Sequence, residues 1–416
     1  MKILLFLGLI LAVFYSYGRK LPGKVIFFPE IGKPVQITNN NKEHLFASYY
    51  GINSWSGDEK YATVLETDIK NKLPEETDPA TLGLVEMKTR KFIPLTQTRA
   101  WNFQEGCMAH WLGTNPDSLI IYNDFRENKY VSVIMNVYSR KELKVIPYPV
   151  SAVSPNGREA VSINFSRLRI TRPDYGYGGK GQDPGEKIQF PGNDGIFLIS
   201  LETGEAKLIV SLAQIKSLVP EISADGIEYF AHTRFSRNGS KIFWLARAIP
   251  ERNTTAFTVN RDGSNISPCF PGKWGGSHFD WLNDNELMIT AGYQGDEYEG
   301  KQDAHILFTV GKQDYKRLGN GLLDYDGHGT FSPDGKWMVT DTYPSKGLRE
   351  QKIYLMDMAT EAVLPLGRYT EPVTFTQGKG FWRCDIHCRW SPEGDMIGFN
   401  STFTGSRQVY VLKLKY

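Results

Sequence analysis

The chain is short of cysteine, with four in 416 residues, and has no strong excess of either charge, its formal net charge being +2. Cys107, Cys269, Cys384 and Cys388 are too few to staple a disulfide scaffold. A Cys384–Cys388 bridge and thiolate ligation of a metal both stay open. The near balance of charge argues against nucleic acid as the main partner, because phosphate binding needs clustered basic side chains. There is no G-x-S-x-G elbow and no P-loop, which removes a prolyl-peptidase-like hydrolase and a nucleotide-phosphate site. The paired carboxylates of a glycoside hydrolase stay open, since any Asp or Glu lining a channel could serve.

Long apolar runs are absent but for one. Ile3 to Phe14 follows Lys2 and has the length of a signal-peptide core, too short to span a bilayer. Residues 1–20 therefore read as a signal peptide and 21–416 as the mature domain. The expectation is a periplasmic or secreted protein with no stable membrane span after cleavage, an uncleaved anchor being the alternative.

What is abundant is aromatic residues, at 13%, and a repeat. An aromatic or apolar residue, a polar turn and an alternating strand recur seven times. The copies are "SWSGDEKYATVLE", "HWLGTNPDSLIIYND", "AVSPNGREAVSINF", "RFSRNGSKIFWLAR", "DWLNDNELMITAG", "FSPDGKWMVTDTY" and "WSPEGDMIGFNS". A second strand of similar character follows each, for example "KIYLMDMATEAVLPL" after the sixth. Asx-Gly turns between alternating strands are hairpin chemistry, and seven strand sets predict an all-β, seven-bladed β-propeller. The last copy ends one strand short at Tyr416, and "KVIFFPEIGKPVQI" from Lys24 can complete that blade and close the ring. Two β-sandwich domains are the alternative, but no Pro/Ser-rich linker divides the chain.

Four of the seven histidines share one register. His232, His278, His328 and His387 stand three residues before Phe235, Trp281, Phe331 and Trp390. Equivalent positions of successive blades surround one axis, so these imidazoles can converge in the channel. Convergent neutral imidazoles suit a divalent metal. Strand alternation puts Arg234 on the face of His232, Asp280 on that of His278, and Asp385 and Arg389 beside His387. His232 with Arg234 reads as a catalytic base beside a carboxylate-binding arginine, unless Arg234 pairs with Asp225 or Glu228. His110 falls out of register and reads as structural, and His44 and His305 as surface or packing residues.

From about Tyr229 to Tyr416 the chain resembles the oligogalacturonate lyases. The resemblance rests on "FTVNRDGSN", "SHFDWLNDNELMITAGYQG", "GHGTFSPDGKWMVTDTYP" and "IHCRWSPEGDMIGFNSTFTGSRQVYVLKL". Propeller-type ulvan lyases are similar in plan. The resemblance implies that His278, His328 and His387 bind a divalent metal, manganese in the first place with zinc or calcium as alternatives, and that His232 abstracts the proton. The chain departs from the family at Asp385, where the family has another histidine, and at Trp382, where it has a glutamine ligand. Asp385 or Cys384 would then complete the ligand set.

The function expected is that of a polysaccharide lyase cleaving an acidic, uronate-containing oligosaccharide by metal-assisted β-elimination. For the substrate, the segment "RPDYGYGGKG" offers Tyr175 and Tyr177 on a glycine-rich rim loop, with Arg169 and Arg172 at or just before it. The second copy offers Asn102, Gln104 and Asn123. A non-catalytic periplasmic propeller of the TolB type with a structural metal, and a propeller glycoside hydrolase, are the other classes that fit.

Overall fold

Five of the seven polar turns of the repeat close alike, a backbone N–H donating to the carbonyl of a serine three residues earlier. Ser154 Oγ donates to Asn156 Oδ1 at 2.7 Å, and the Gly157 N–H donates to Ser154 O at 2.8 Å with Gly157 at φ +66°. Ser236–Asn238–Gly239 and Ser332–Asp334–Gly335 repeat the arrangement, with glycine φ of +77° and +72°. The left-handed last residue favours glycine, which has no Cβ to clash. In the first copy Glu59 takes that place, at φ +55°.

These turns join the innermost and second strands of seven antiparallel sheets. The computed structural model describes residues 27–39, 41–178, 188–219, 227–249, 254–269, 274–293, 303–312, 314–375 and 382–416. The expected signal peptide lies outside the described residues. Six sheets are consecutive four-stranded meanders, at 43–98, 110–146, 152–211, 227–268, 274–317 and 330–370. The seventh combines Arg389–Trp390, Met396–Ser401 and Gln408–Lys415 with two short N-terminal strands. Glu30–Ile31 and Val35–Gln36 both pair antiparallel with Gln408–Lys415, Val35 lying opposite Val411. The chain is thus a seven-bladed propeller closed by its N-terminal segment, as the repeat predicted, and closure pairs the last outer strand.

Apolar side chains pack within and between the blades. Trp244 stacks on Phe257 at 5.4 Å and Phe243 meets Phe279 of the next blade at 4.3 Å. Gly398 lets the seventh blade approach the first, because a Cβ there would lie 2.6 Å from both Phe46 and Trp55. Burial of one such large side chain contributes roughly 1.5–3 kcal/mol. None of the described helices is long and apolar enough to cross a membrane.

Candidate metal and proton-transfer site

The four register histidines do converge at one end of the channel. The rings of His278 and His328 lie 4.0 Å apart, and those of His328 and His387 lie 4.3 Å apart. Tyr49 links His387 to His232, standing edge-on to the first at 5.2 Å and stacked on the second at 5.0 Å. All four histidines are buried. Bulges aim two of them inward. The inner strand Ile227–Phe235 shifts register between Ala231 and Arg234, and Trp274–Trp281 shifts between Gly276 and Phe279. His232 and His387 have positive φ, +57° and +53°.

Carboxylates orient the imidazoles. Asp326 accepts from His278 Nδ1 at 2.8 Å, and Asp341 Oδ1 accepts from His328 Nδ1 at 2.8 Å. Asp341 also accepts both backbone N–H groups, of His328 at 2.9 Å and of His387 at 2.7 Å. The Nε2 atoms of His278 and His328 are thereby left for a further partner, the usual second-shell device around a metal. Here the Tyr343 hydroxyl lies 3.1 Å from the first and 3.4 Å from the second.

His387 Nε2 and Asp385 Oδ2 are both buried without a hydrogen-bond partner among the described residues, 3.9 Å apart. His328, Asp385 and His387 offer three donor atoms within 4.8 Å of one another. Two imidazole nitrogens and a carboxylate oxygen fit a divalent cation, and two orphaned buried atoms are what such a cation would satisfy. His278 lies beside this group rather than within it.

Burial, then the neighbouring His328 and Arg389, hold His387 well below the ordinary imidazole value. His278 is lowered by burial and by His328. For His328, burial opposes the charge, but Asp341 with Asp385 and Asp326 outweighs it and raises the value.

His232 stands apart from the donor group and has its own acid. Its Nδ1 lies 3.1 Å from Glu105 Oε1, and Tyr175 packs edge-on against its ring at 4.7 Å. Burial first, then Arg247 and Arg172, keeps His232 well below the ordinary value. Burial and Asp174 push Glu105 up to about 8 against the pull of Arg172.

At the mouth, two arginines are built alike. Arg172 forms a two-point pair with Asp174, at 3.1 and 2.9 Å, and lies 4.7 Å over the Tyr175 ring. Arg383 Nε donates to Asp385 Oδ1 at 2.7 Å and lies 4.7 Å over the Tyr343 ring. Both arginine side chains stay partly exposed, at 31% and 27%.

Several expected site residues lie elsewhere. Arg234 does not share the face of His232, because the bulge breaks the alternation. Its guanidinium pairs with Asp280 at 3.0 Å and donates to Tyr50 O at 2.6 Å, beneath the histidines. Asp280 is thereby committed too, its second oxygen accepting the Phe331 N–H at 2.8 Å. Of the acids expected to pair with Arg234, Asp225 lies outside the described residues, and Glu228 is buried with neither oxygen hydrogen-bonded among the described residues. Cys384 lies outside the donor group, and burial pushes its thiol up to about 12, against ligation as a thiolate. All four cysteines are free, so Cys384 and Cys388 form no bridge.

Asn102 serves the framework, its amide donating to Tyr175 O at 2.7 Å while its oxygen accepts the Gln104 and Glu105 N–H groups. Asn123 holds Val150 through both its atoms and the Tyr177 hydroxyl at 2.8 Å. Tyr177 is buried and stacked on Phe165, not on a rim. Arg169 lies in the last turn of a short helix, Phe165–Thr171, and donates to Pro173 O at 3.1 Å just beyond it. Gln104 is buried with Oε1 unpartnered among the described residues.

Glu105, Asp326, Asp341, Tyr343, Arg383 and Tyr49 were not singled out in the sequence. Asp326 carried a signal, standing two residues before His328 as Asp385 stands before His387. His110, His44 and His305 are buried and bonded locally, His305 to Leu323 O and Thr340 Oγ1.

No family model and no curated protein sequence matches the chain. Solved structures do match it. An oligogalacturonate lyase from Vibrio parahaemolyticus aligns over 91% of this chain and 93% of its own, with a TM-score of 0.64 and 14% identity. An oligogalacturonate lyase in complex with manganese aligns over 92% and 93%, with a TM-score of 0.62 and 14% identity. A prolyl endopeptidase aligns over 89% of this chain but 50% of its own, with a TM-score of 0.51 and 12% identity. At these identities the likeness is one of fold.

Proposed function

We propose that this protein is an exported lyase that cleaves uronate-containing oligosaccharides by metal-assisted β-elimination. The observation that carries the reading is the pair of buried, unpartnered atoms, His387 Nε2 and Asp385 Oδ2, beside His328. The two similar lyase structures, one in complex with manganese, support it at the level of fold.

His328, His387 and Asp385 would hold the cation, with His278 as a neighbouring donor. Imidazole nitrogen with a single carboxylate suits manganese or zinc better than calcium, which takes six to eight oxygens. The cation, when bound, would neutralise the uronate carboxylate and so stabilise negative charge developing at the adjacent carbon.

The chain's own residues do the rest. Arg172 and Arg383 draw the acid group to the mouth through their partly exposed side chains. His232 accepts the proton from C5 at Nε2, and Glu105 steadies the opposite N–H at Nδ1. The C5–H electron pair becomes the C4–C5 double bond, and the C4–O bond breaks with its pair on the leaving oxygen, which takes a proton from solvent. No water is consumed. Tyr49 and Tyr175 clamp the His232 ring on its face and edge and exclude water around it.

The test is ultraviolet absorbance of a conjugated uronate, followed with pectic, ulvan-like and glucuronate-capped glycans in the presence of manganese. Product with wild type, and none with His232→Ala that still binds metal, supports the reading. Absence of signal on every glycan overturns it.

A further inference from the structure

The other end of the channel carries a different feature. Among the turns of several blades lies a cavity of about 400 Å³ whose wall includes Ile52, Arg234, Arg237, Asp280 and Arg389. Its charged groups are three arginines and one carboxylate. Arg234 and Asp280 cancel one another, as described. Arg237 donates to three carbonyls, of Trp281 at 2.9 Å and of Pro333 and Ser332 at 3.3 Å each, rather than to a carboxylate.

Arg389 is the outlier. It is 1% exposed, and its Nη1 donates to Ser48 O, Ser48 Oγ and Ser54 Oγ at 2.9–3.2 Å. Its Nε and Nη2 have no partner among the described residues, and the electron-rich group against it is the Phe46 ring at 4.2 Å. A buried guanidinium without a counter-charge is unfavourable unless an anion or ordered water meets it.

Tyr50 divides this cavity from the histidines. Its ring faces His328 at 5.0 Å and His387 at 5.3 Å, while its carbonyl accepts from Arg234. We propose that the cavity is a binding site for a small oxyanion of the phosphate or carboxylate class, held by Arg389 with Arg234 and Arg237 around it. Planar guanidinium donors suit either anion. The proposal is independent of the lyase reading, since none of the register histidines, Asp385 or Glu105 lines this wall.

The experiment measures the thermal midpoint of the full chain against inorganic phosphate and, separately, sodium acetate, at ionic strength held constant with chloride. A saturable rise of about 2 °C or more with either anion is expected for wild type, and its loss in Arg389→Met. Arg389 also holds Ser48 and Ser54, so Ile52→Glu provides a second arm. A carboxylate tethered in the wall should raise the midpoint without added anion and abolish the response. A response equal to that of chloride, or one unchanged in a folded Arg389→Met or in Ile52→Glu, overturns the proposal. A phosphate-only response assigns the anion to the phosphate class, and an acetate response to the carboxylate class.

Discussion

Glu105→Gln is the sharpest perturbation, because it separates a proton-transfer pair from a merely packed one. Glu105 and His232 share one proton across 3.1 Å, so they titrate as a unit. With that proton in excess, the pair is either a neutral acid against an imidazole protonated at Nε2, or a carboxylate against imidazolium. Both forms lack the Nε2 lone pair that the elimination needs. The groups facing the pair are Asp174, Arg172, Arg247, His278, His328, Tyr49 and Tyr177. Burial first, then Asp174 against the pull of Arg172, leaves Glu105 at about 8. The competent fraction is then about one hundredth at pH 6, one tenth at pH 7 and most of the protein at pH 9. Wild-type kcat should climb about tenfold per pH unit below 8 and level off above it.

Glutamine keeps an acceptor for the Nδ1 proton but does not titrate. Glu105→Gln should be slower than wild type by roughly 10–100-fold at pH 9, converge on it towards pH 6, and leave KM unchanged. Stability gives a second readout. The ordinary value is 4.5 and the folded one about 8, so between them the folded protein keeps a proton that the unfolded chain has lost. Stability is therefore lost as pH rises through that interval, by at most roughly 5 kcal/mol. The variant should melt higher than wild type at pH 8–9 and alike below pH 4.5. Parallel kcat profiles for the two proteins from pH 6 to 9 would refute the pairing.

Two further outcomes follow from the same geometry. His328→Ala and His387→Ala should each weaken bound manganese by at least about tenfold, whereas His278→Ala, outside the donor group, should cost less; elemental analysis after dialysis at graded manganese decides between them. Arg172→Ala should raise KM about tenfold for an acidic oligosaccharide with a smaller change in kcat, and should move the alkaline rise in kcat upward because its charge no longer favours ionised Glu105. An unchanged KM would remove Arg172 from the mouth.

The blade plan was legible because each turn carries its own chemistry. Ser-x-Asx-Gly, present in three copies, predicts a left-handed glycine after a polar bend, and seven polar bends of related character between alternating strands leave little choice of fold. Convergence of His232, His278, His328 and His387 followed from their common distance to the turn aromatics, a register that the propeller converts into proximity. Partners from other blades were not legible in the same way. Arg234 was misread because alternation assumes a regular strand, and nothing local to "AHTRF" marks the bulge that turns its side chain toward Tyr50. Tyr49 and Tyr50 reach the site from the loop after the first inner strand, and Glu105 reaches His232 from the second blade. Such contacts are set by closure of the ring, not by spacing along the chain. Tyr175 and Tyr177 looked like rim residues for their glycine-rich company, but their rings fill the interior between the third blade and its neighbours.

Backbone strain at the histidines belongs to the fold before it belongs to the chemistry. Among the described residues of positive φ other than glycine, the buried ones are Met108, His232 and His387. Met108 stands three residues before Trp111, in the register of the histidines, yet its thioether does none of the work of an imidazole. The left-handed position, costing about 1–3 kcal/mol, is thus a property of the blade entrance that histidines exploit. What distinguishes a ligand is whether its neighbours have already used it. Asp280 has both oxygens committed, to Arg234 and to the Phe331 N–H, and ties the fifth blade to the fourth and sixth. Asp341 has both committed to His328 and His387, and ties the sixth blade to the seventh. Asp385 gives one oxygen to Arg383 and keeps the other buried and unpartnered. Three aspartates near the same imidazoles therefore divide into two joints and one donor, and the divide follows from counting oxygens.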